Sequence, residues 1–296
     1  MKIVVAGASG FVGRALVQAL GAAGHEVQSL VRRAARAKGE VSWDPAAGVL
    51  DTAALGEVDA VVNLAGENIA AGRWSVARRE RILRSRVEAT RTLVLAVARM
   101  ERKPRVFVNA SAVGIYGDRG DEVLTEESAM GQGFLPEVCL AWETHAEGAT
   151  RLGVRTVLLR FGVVLAPDGG ALARLLPVFR LCLGGKLGSG RQWMSWVSRE
   201  DAIGAVSHVL CDERCVGPVN VVAPEAVTNA AFTTALGRAV HRPAIFTVPA
   251  FALRLGFGRM AVETLLASTR VSPQRLQDTG YVFQHPTLES ALRGVG

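Results

Sequence analysis

The sequence has few of the features that mark secreted, metal-binding or membrane-spanning proteins. Only four cysteines and five histidines occur in 296 residues, without the spacing of a zinc site or of a disulfide framework. No run of about 18 uncharged apolar residues is present, so no segment has the pattern of a membrane-spanning helix. Residues 1–6 already read as a strand rather than as a signal peptide. We therefore expect a cytoplasmic protein with no metal ion and no membrane partner.

Aromatic residues are also scarce, at 6% of the chain, whereas arginine gives the protein most of its net charge of +7. An excess of positive charge can indicate a polyanionic partner. Nucleic-acid binding is nevertheless not expected, because no basic run is interleaved with aromatic side chains that would stack on bases.

What the sequence does contain is a strand-like run, residues 2–6, that turns into a glycine-rich loop and then into an amphipathic helical pattern. Glycine at 7 permits a tight turn, glycine at 10 lets the backbone approach a pyrophosphate, and glycine at 13 lets the helix pack closely on the strand. The first amides of such a helix face an anion. The pattern predicts a dinucleotide loop, with a purely structural turn as the alternative. The residues assigned to cofactor binding here are Gly7, Ser9, Gly10, Phe11, Val12 and Gly13.

Strand and helix patterns alternate along the chain, and the strands are short and nearly continuously apolar. This alternation predicts an α/β fold, a Rossmann doubly wound parallel sheet with helices on both faces. Residues 1–165, with parts of 200–225, would form the cofactor domain, and 166–296 a smaller C-terminal α/β region on the substrate side. The predicted strands are 2–6, 26–31, 58–64, 105–110, 155–159 and 218–222, and the predicted helices are 11–23, 75–100, 137–152 and 200–211.

The second predicted strand is followed by Arg32 and Arg33, where an NAD-binding domain usually has a carboxylate for the ribose 2′-hydroxyl. A guanidinium group matches a phosphate instead. We therefore expect NADP(H) as the cofactor, although two exposed arginines at a strand end would give the same pattern.

Several segments resemble the extended short-chain dehydrogenase/reductases. The glycines at 7, 10 and 13 have that family's GxxGxxG spacing, and residues 63–68 resemble its Asn-or-His-Leu-Ala segment beneath the cofactor. Residues 86–90 line up with its Asn-x-x-Gly-Thr on the neighbouring helix. The resemblance implies further cofactor contacts from Leu64, Ala65, Gly66, Glu67, Asn68, Arg86, Ala110 and Val163.

The catalytic residues of that family are replaced in this chain. Residues 109–117 resemble its Ser-Ser-x-x-Val-Tyr-Gly segment, but Ala112 stands where the family has serine or threonine. On the helix that usually carries Tyr-x-x-x-Lys, the register places Cys139 at the tyrosine and Glu143 at the lysine. A carboxylate raises rather than lowers the pKa of a nearby thiol. The candidates for a replacement acid or base are Glu143, Cys139, Tyr116 and Ser111.

These departures, together with residues 64–69, 160–165 and 188–196, resemble the atypical short-chain dehydrogenase/reductases known as epimerase family proteins. Residues 246–253, 270–276 and 280–292 resemble the C-terminal domain of that group, at about 246–294. The resemblance implies an NAD-dependent epimerase/dehydratase-like protein that binds NADP and whose reaction is undefined.

Two functions are compatible with these observations. The first is an NADP(H)-dependent oxidoreductase or epimerase-like enzyme that acts on a small molecule. The second is a non-catalytic protein that binds NADPH as a sensor or regulator. A homodimer is possible, as in other family members. Candidate substrate contacts, for which buried hinge aromatics are the alternative, are Arg191, Gln192, Trp193 and Trp196.

Overall fold

The computed structural model describes residues 1–295, in which strands and helices alternate. In chain order the strands are β1 Lys2–Ala6, β2 Glu26–Val31, β3 Glu40–Asp44, β4 Val49–Leu50, β5 Ala60–Asn63, β6 Val106–Ala112, β7 Val123–Leu124, β8 Arg155–Phe161, β9 Val163–Ala166, β10 Gly185–Leu187, β11 Trp193–Met194, β12 Trp196–Ser198, β13 Gly217–Val221, β14 Val227–Thr228, β15 Phe246–Val248 and β16 Arg270–Val271. The helices are α1 Phe11–Ala22, α2 Thr52–Leu55, α3 Val76–Arg99, α4 Phe134–Thr150, α5 Gly170–Arg180, α6 Arg199–Cys211, α7 Asn229–Ala239, α8 Ala250–Phe257, α9 Gln274–Asp278 and α10 Leu288–Ala291.

Eight strands form the central sheet, in the order β13-β8-β6-β5-β1-β2-β3-β4. All neighbours are parallel except β3 and β4. The chain winds outwards in one direction from β1 to β2 and in the other from β5 to β6, so the carboxyl ends of β1 and β5 flank the switch point where ligands bind in such sheets. The predicted Rossmann fold is therefore confirmed.

The two faces of the sheet carry separate hydrophobic cores because successive strand residues point to opposite sides. Ile3 and Val5 pack with residues of α1 and α6 on one face. Val4 and Ala6 pack with residues of α3 and α4 on the other face. Helices cover both faces, which explains why the strands are apolar throughout rather than alternating.

Outside the central sheet, short strand pairs, most of them formed by segments after β8, make up a smaller unit with its own core. The pairs are β9–β12, β10–β15, β11–β14 and β7–β16, and the core contains Leu172, Phe179, Trp196 and Phe232. Of the helices within residues 1–295, none combines the length and the apolar character needed to cross a membrane.

Asp201, at the beginning of α6, ties the end of the chain to this region. Its carboxylate accepts hydrogen bonds from the hydroxyl groups of Ser198 and Tyr281, at 2.8 and 3.1 Å, and from the amides of Gln284 and His285, at 2.7 and 2.9 Å. Asp201 has no exposed surface. Burial and the charge of Asp201 raise the pKa of Tyr281 above its usual range.

Candidate functional site

The glycine loop between β1 and α1 is packed so tightly that Gly7 and Gly13 have no room for a side chain. Gly7 has a φ of +81°, and a Cβ there would approach the main chain of Leu64 within 2.7 Å. A Cβ at Gly13 would overlap the carbonyl oxygen of Gly7. The positive φ and the close approaches leave glycine as the residue that fits at both positions.

The amino end of α1 is open to an anion. Gly10 caps the helix without a side-chain hydrogen bond, and no acidic residue lies in the first turn. Ser9 and Gly10 are exposed. The ring of Phe11 lies under the Arg199 guanidinium, at 5.4 Å from Cζ to the ring centroid. The helix amides and the dipole of α1 are thus available to a pyrophosphate, so the residues present fit a dinucleotide.

The two arginines after β2 have different surroundings. Arg33 donates to both carboxylate oxygens of Glu40, at 2.8 and 2.6 Å, and these hydrogen bonds lower the pKa of Glu40 to about 2. Arg32 is exposed and forms no ion pair within residues 1–295. Arg32 is therefore free for a phosphate, whereas Arg33 is already committed to a carboxylate.

The segment after β5 is held in place by buried polar groups. The Asn63 amide donates to Thr90 Oγ1 at 2.9 Å and to Asn109 Oδ1 at 2.7 Å, while its oxygen accepts from the amide of Ala65 at 3.1 Å. The amide of Glu67 donates to Ser85 Oγ at 3.0 Å. These bonds fix Leu64 to Glu67 beside the glycine loop, where their backbone faces the switch point. Of the other predicted cofactor residues, Asn68 accepts a hydrogen bond at its carbonyl oxygen from Arg78 Nη2, Ala110 is buried near the end of β6, and Val163 begins β9.

Three of the four acid/base candidates belong to one buried network. Arg160, on β8, donates to both oxygens of Glu143 at 2.9 Å and to the hydroxyl of Tyr116 at 2.9 Å. Ser111 donates to Glu143 at 2.6 Å, and Tyr116 donates to Asn220 Oδ1 at 2.8 Å. Burial lowers the pKa of Arg160, but the hydrogen bonds and charge of Glu143 outweigh this effect and raise the pKa above its usual range.

This network bears on the candidates Tyr116, Ser111 and Glu143, because it gives each of them a hydrogen-bond partner inside the protein. The hydroxyl of Tyr116 lies on a side chain with no exposed surface, and burial raises its pKa. The Ser111 hydroxyl and both Glu143 oxygens already have partners, and these residues are 3% and 6% exposed. With Arg160, the three groups join β6, the turn that follows it, α4 and β8. Arg160 was not identified from the sequence as the partner of Glu143. The signal that could have found it is the acidic residue at the usual lysine position, because a buried carboxylate needs a cation nearby.

Cys139 is the remaining candidate, one turn before Glu143 on α4. Its Sγ lies 3.8 Å from the carbonyl oxygen of Ala112, and the residue is 3% exposed. Burial and the charge of Glu143 raise the pKa of the thiol to about 11. Cys139 therefore carries its proton at neutral pH and is not an activated nucleophile.

The predicted substrate contacts separate into core and surface residues. Trp196 has no exposed surface and belongs to the core of the smaller unit, which favours the alternative of a buried hinge aromatic over a substrate contact. Gln192 is committed to the carbonyls of Leu187 and Leu265, at 3.0 Å each. Trp193 is partly exposed, and its Nε1 donates a hydrogen bond to Asp121 Oδ1 at 2.7 Å. Arg191 is exposed. No group of three potential metal ligands occurs in the part of the chain that the structure describes.

The family comparisons cover almost the whole chain. A family model described as the NAD dependent epimerase/dehydratase family matches residues 3–223, and a domain of unknown function, DUF1731, matches residues 248–295. Epimerase family protein Mb2239 of Mycobacterium bovis is 46% identical over 290 residues, which cover 98% of this chain and 96% of that protein. Epimerase family protein SDR39U1 of Homo sapiens is 36% identical over 301 residues, with coverage of 100% and 99%.

The fold agrees with that of a solved relative. The crystal structure of human epimerase family protein SDR39U1 with NADPH has a TM-score of 0.90 at 35% identity, and the match covers 100% of this chain and 99% of that one. The resemblance to epimerase family proteins with their C-terminal domain is therefore confirmed.

Proposed function

Because the chain belongs to the NAD-dependent epimerase/dehydratase family, we propose that it is an NADP(H)-dependent oxidoreductase or epimerase-like enzyme. It would act on a small molecule without the serine-tyrosine-lysine set of its extended relatives. The observation that carries this proposal is an amino end of α1 without a side-chain cap, together with Arg32, which is exposed and forms no ion pair within residues 1–295. The human relative solved with NADPH supports the choice of cofactor.

The cofactor would be held by backbone and by charge. The amides of residues 9–13 would bind the pyrophosphate, Arg32 the 2′-phosphate, and the backbone of residues 64–66 would lie beneath the ribose. When bound, NADPH supplies a hydride, so the chain itself must orient the substrate against the nicotinamide and donate a proton.

Cys139 is the proton donor that we propose. It occupies the position of the family's tyrosine, and its thiol is the candidate that the Arg160 network leaves out. With a pKa of about 11 it keeps its proton at neutral pH, and it can donate that proton to a more basic alkoxide formed beside it. Cys139→Ala should then abolish turnover on a substrate found by screening while leaving NADPH affinity unchanged. Turnover that survives this change would remove Cys139 as the acid.

The cofactor assignment is tested by charge reversal at Arg32. Arg32→Glu should weaken NADPH binding by more than about tenfold, since a charge-assisted hydrogen bond contributes about 1.5–3 kcal/mol, and should change NADH binding little. Arg33→Gln is the matched control, because its guanidinium is already paired with Glu40. Equal losses for NADPH and NADH would exclude Arg32 as the 2′-phosphate contact.

A second candidate function is a binding protein that senses NADPH without catalysis. The hydrogen bonds of the Arg160 network favour this function. Arg160 binds Glu143 and Tyr116, and Ser111 binds Glu143, so three groups near the usual catalytic position are engaged with each other rather than with a ligand. A sensor would keep bound NADPH reduced in the presence of a panel of carbonyl compounds and nucleotide sugars. An enzyme would oxidise the NADPH with one of them, which absorbance of the reduced nicotinamide would reveal.

A further inference from the structure

Arg86, on α3, forms no ion pair with a carboxylate among the residues that the structure describes. Its Nη1 donates to the carbonyl oxygens of Glu67 and Ile82, at 3.1 and 3.0 Å. No hydrogen bond from Nε or Nη2 is formed to any of residues 1–295. Nε and Nη2 form the edge of a guanidinium group that binds a carboxylate or phosphate with two parallel hydrogen bonds. The half of Arg86 best suited to an oxyanion is therefore free.

The surroundings of Arg86 hold the guanidinium in place without neutralising it. Cζ lies 4.9 Å from the ring centroid of Trp142, and a Cβ at Gly66 would approach it within 3.1 Å. The nearby carboxylate of Glu67 is shared by Arg78 and Arg81, at 3.7 and 3.5 Å. Burial lowers the pKa of Arg86, so the protein destabilises this charge when nothing is bound. An incoming anion would relieve that cost.

Arg86 lies near Cys139, the proton donor proposed above. It lies beside the segment that follows β5, and Trp142 is three residues after Cys139 on α4. The contacts of its guanidinium are thus with the segment after β5, with α3 and with α4 rather than with the glycine loop before α1. Gly66 itself packs against the guanidinium, since an added Cβ there would lie 3.1 Å from Cζ, so a ligand can reach Arg86 only along the Nε–Nη2 edge.

We propose that Arg86 binds an oxyanion of the second ligand, a carboxylate or a phosphate, and so selects an acidic substrate. The inference rests on the proposed function, because it places the ligand beside a bound dinucleotide. Trp142 stacks on one face of the guanidinium, so the anion approaches in its plane, along the Nε–Nη2 edge. A neutral compound would leave this edge and its charge unsatisfied.

The test uses Trp142 as a reporter in the full chain saturated with NADP⁺. Malonate and inorganic phosphate are titrated at constant ionic strength while tryptophan fluorescence is followed, with Trp142→Phe identifying the source of the signal. We expect saturable binding that Arg86→Gln weakens by more than about tenfold and that Arg86→Lys restores only in part, because lysine lacks the fork. Arg91→Gln, an exposed position on the same helix, is the control and should bind as the wild type does.

Two results would overturn the inference. One is the absence of saturable binding, or equal binding by Arg86→Gln and the wild type. The other is an Arg86→Gln variant that loses NADP⁺ affinity as strongly as anion affinity, since Arg86 would then hold a phosphate of the cofactor. A wild-type protein that fails to bind NADP⁺ at the outset would instead contradict the proposed function itself.

Discussion

At the scale of single residues, the Glu143–Arg160 ion pair is where this site differs most from the family's catalytic pattern. The two side chains are 7% and 8% exposed, and both guanidinium–carboxylate hydrogen bonds measure 2.9 Å. The carboxylate stands at the family's lysine position, and the balancing cation comes from a neighbouring strand. The negative charge therefore lies on α4, where the family has a positive one, and the positive charge lies on β8. Their ion pair stabilises the packing of α4 on β8.

This exchange makes a stability prediction. Glu143→Gln should lower the free energy of unfolding by about 3–5 kcal/mol, because it leaves Arg160 buried and unpaired. Urea denaturation measures the change. Ser111→Ala is the matched control and should cost only about 1.5–3 kcal/mol, the contribution of one hydrogen bond to a charged group. Equal stability of Glu143→Gln and the wild type would show that the pair is not formed.

The thiol of Cys139 makes a prediction about pH. Its folded-state pKa is raised to about 11 from an ordinary value of 9.0. The folded protein then holds the proton more tightly than the unfolded chain, so this stabilising effect is complete below about pH 9 and is lost as the pH rises towards 11. The free energy of unfolding should fall across that interval. The fall should be smaller in Cys139→Ala, and identical slopes in the two proteins would contradict the assignment.

At the scale of elements, the loop from β1 to α1 depends on one close contact. Gly13→Ala should weaken NADPH binding by more than tenfold and destabilise the fold by about 1–3 kcal/mol, because the added Cβ meets the carbonyl oxygen of Gly7. Gly21→Ala, in the same helix with no atom within 4 Å of the added Cβ, should leave binding unchanged. Calorimetric titration of both variants compares them directly, and similar binding by the two would refute the packing role of Gly13.

The elements nearest the loop were also the ones that the sequence predicted best. β1 and β2 have the predicted bounds, because glycines and helix patterns delimit them. β3 and β4 were missed, since Glu40–Asp44 alternates buried and exposed residues at the edge of the sheet rather than forming an apolar run. α4 begins at Phe134 rather than at 137, because Pro136 lies in the first turn, where a missing N–H costs nothing.

The site was predictable where it depends on local pattern and not where it depends on distant partners. The glycines of the loop and Arg32 follow from neighbouring residues in the sequence. Arg160 and Glu143 are joined only by the fold, which brings β8 beside α4. Trp196 follows glycines and polar residues in segment 188–196, a pattern that does not indicate burial. The pairing of β12 with β9 nevertheless buries it completely.

At the scale of the whole molecule, Asp201 connects the beginning of α6 to residues 281–285 near the end of the chain. Asp201→Ala should release residues 281–285, because four donors lose their common acceptor. Limited proteolysis should then cut the C-terminal segment sooner than in the wild type. Asp278→Ala, at an exposed position, is the control. Unchanged cleavage of the Asp201 variant would show that other contacts hold the segment. The homodimer remains a prediction.

The measurement that tests the central claim most directly is calorimetric titration of the purified wild-type protein with NADPH and NADH in parallel. The open amino end of α1 and the unpaired Arg32 predict that NADPH binds at least about tenfold more tightly than NADH, through contacts with the 2′-phosphate. Binding of neither cofactor, or of both with equal affinity, would contradict the assignment of an NADP(H) site.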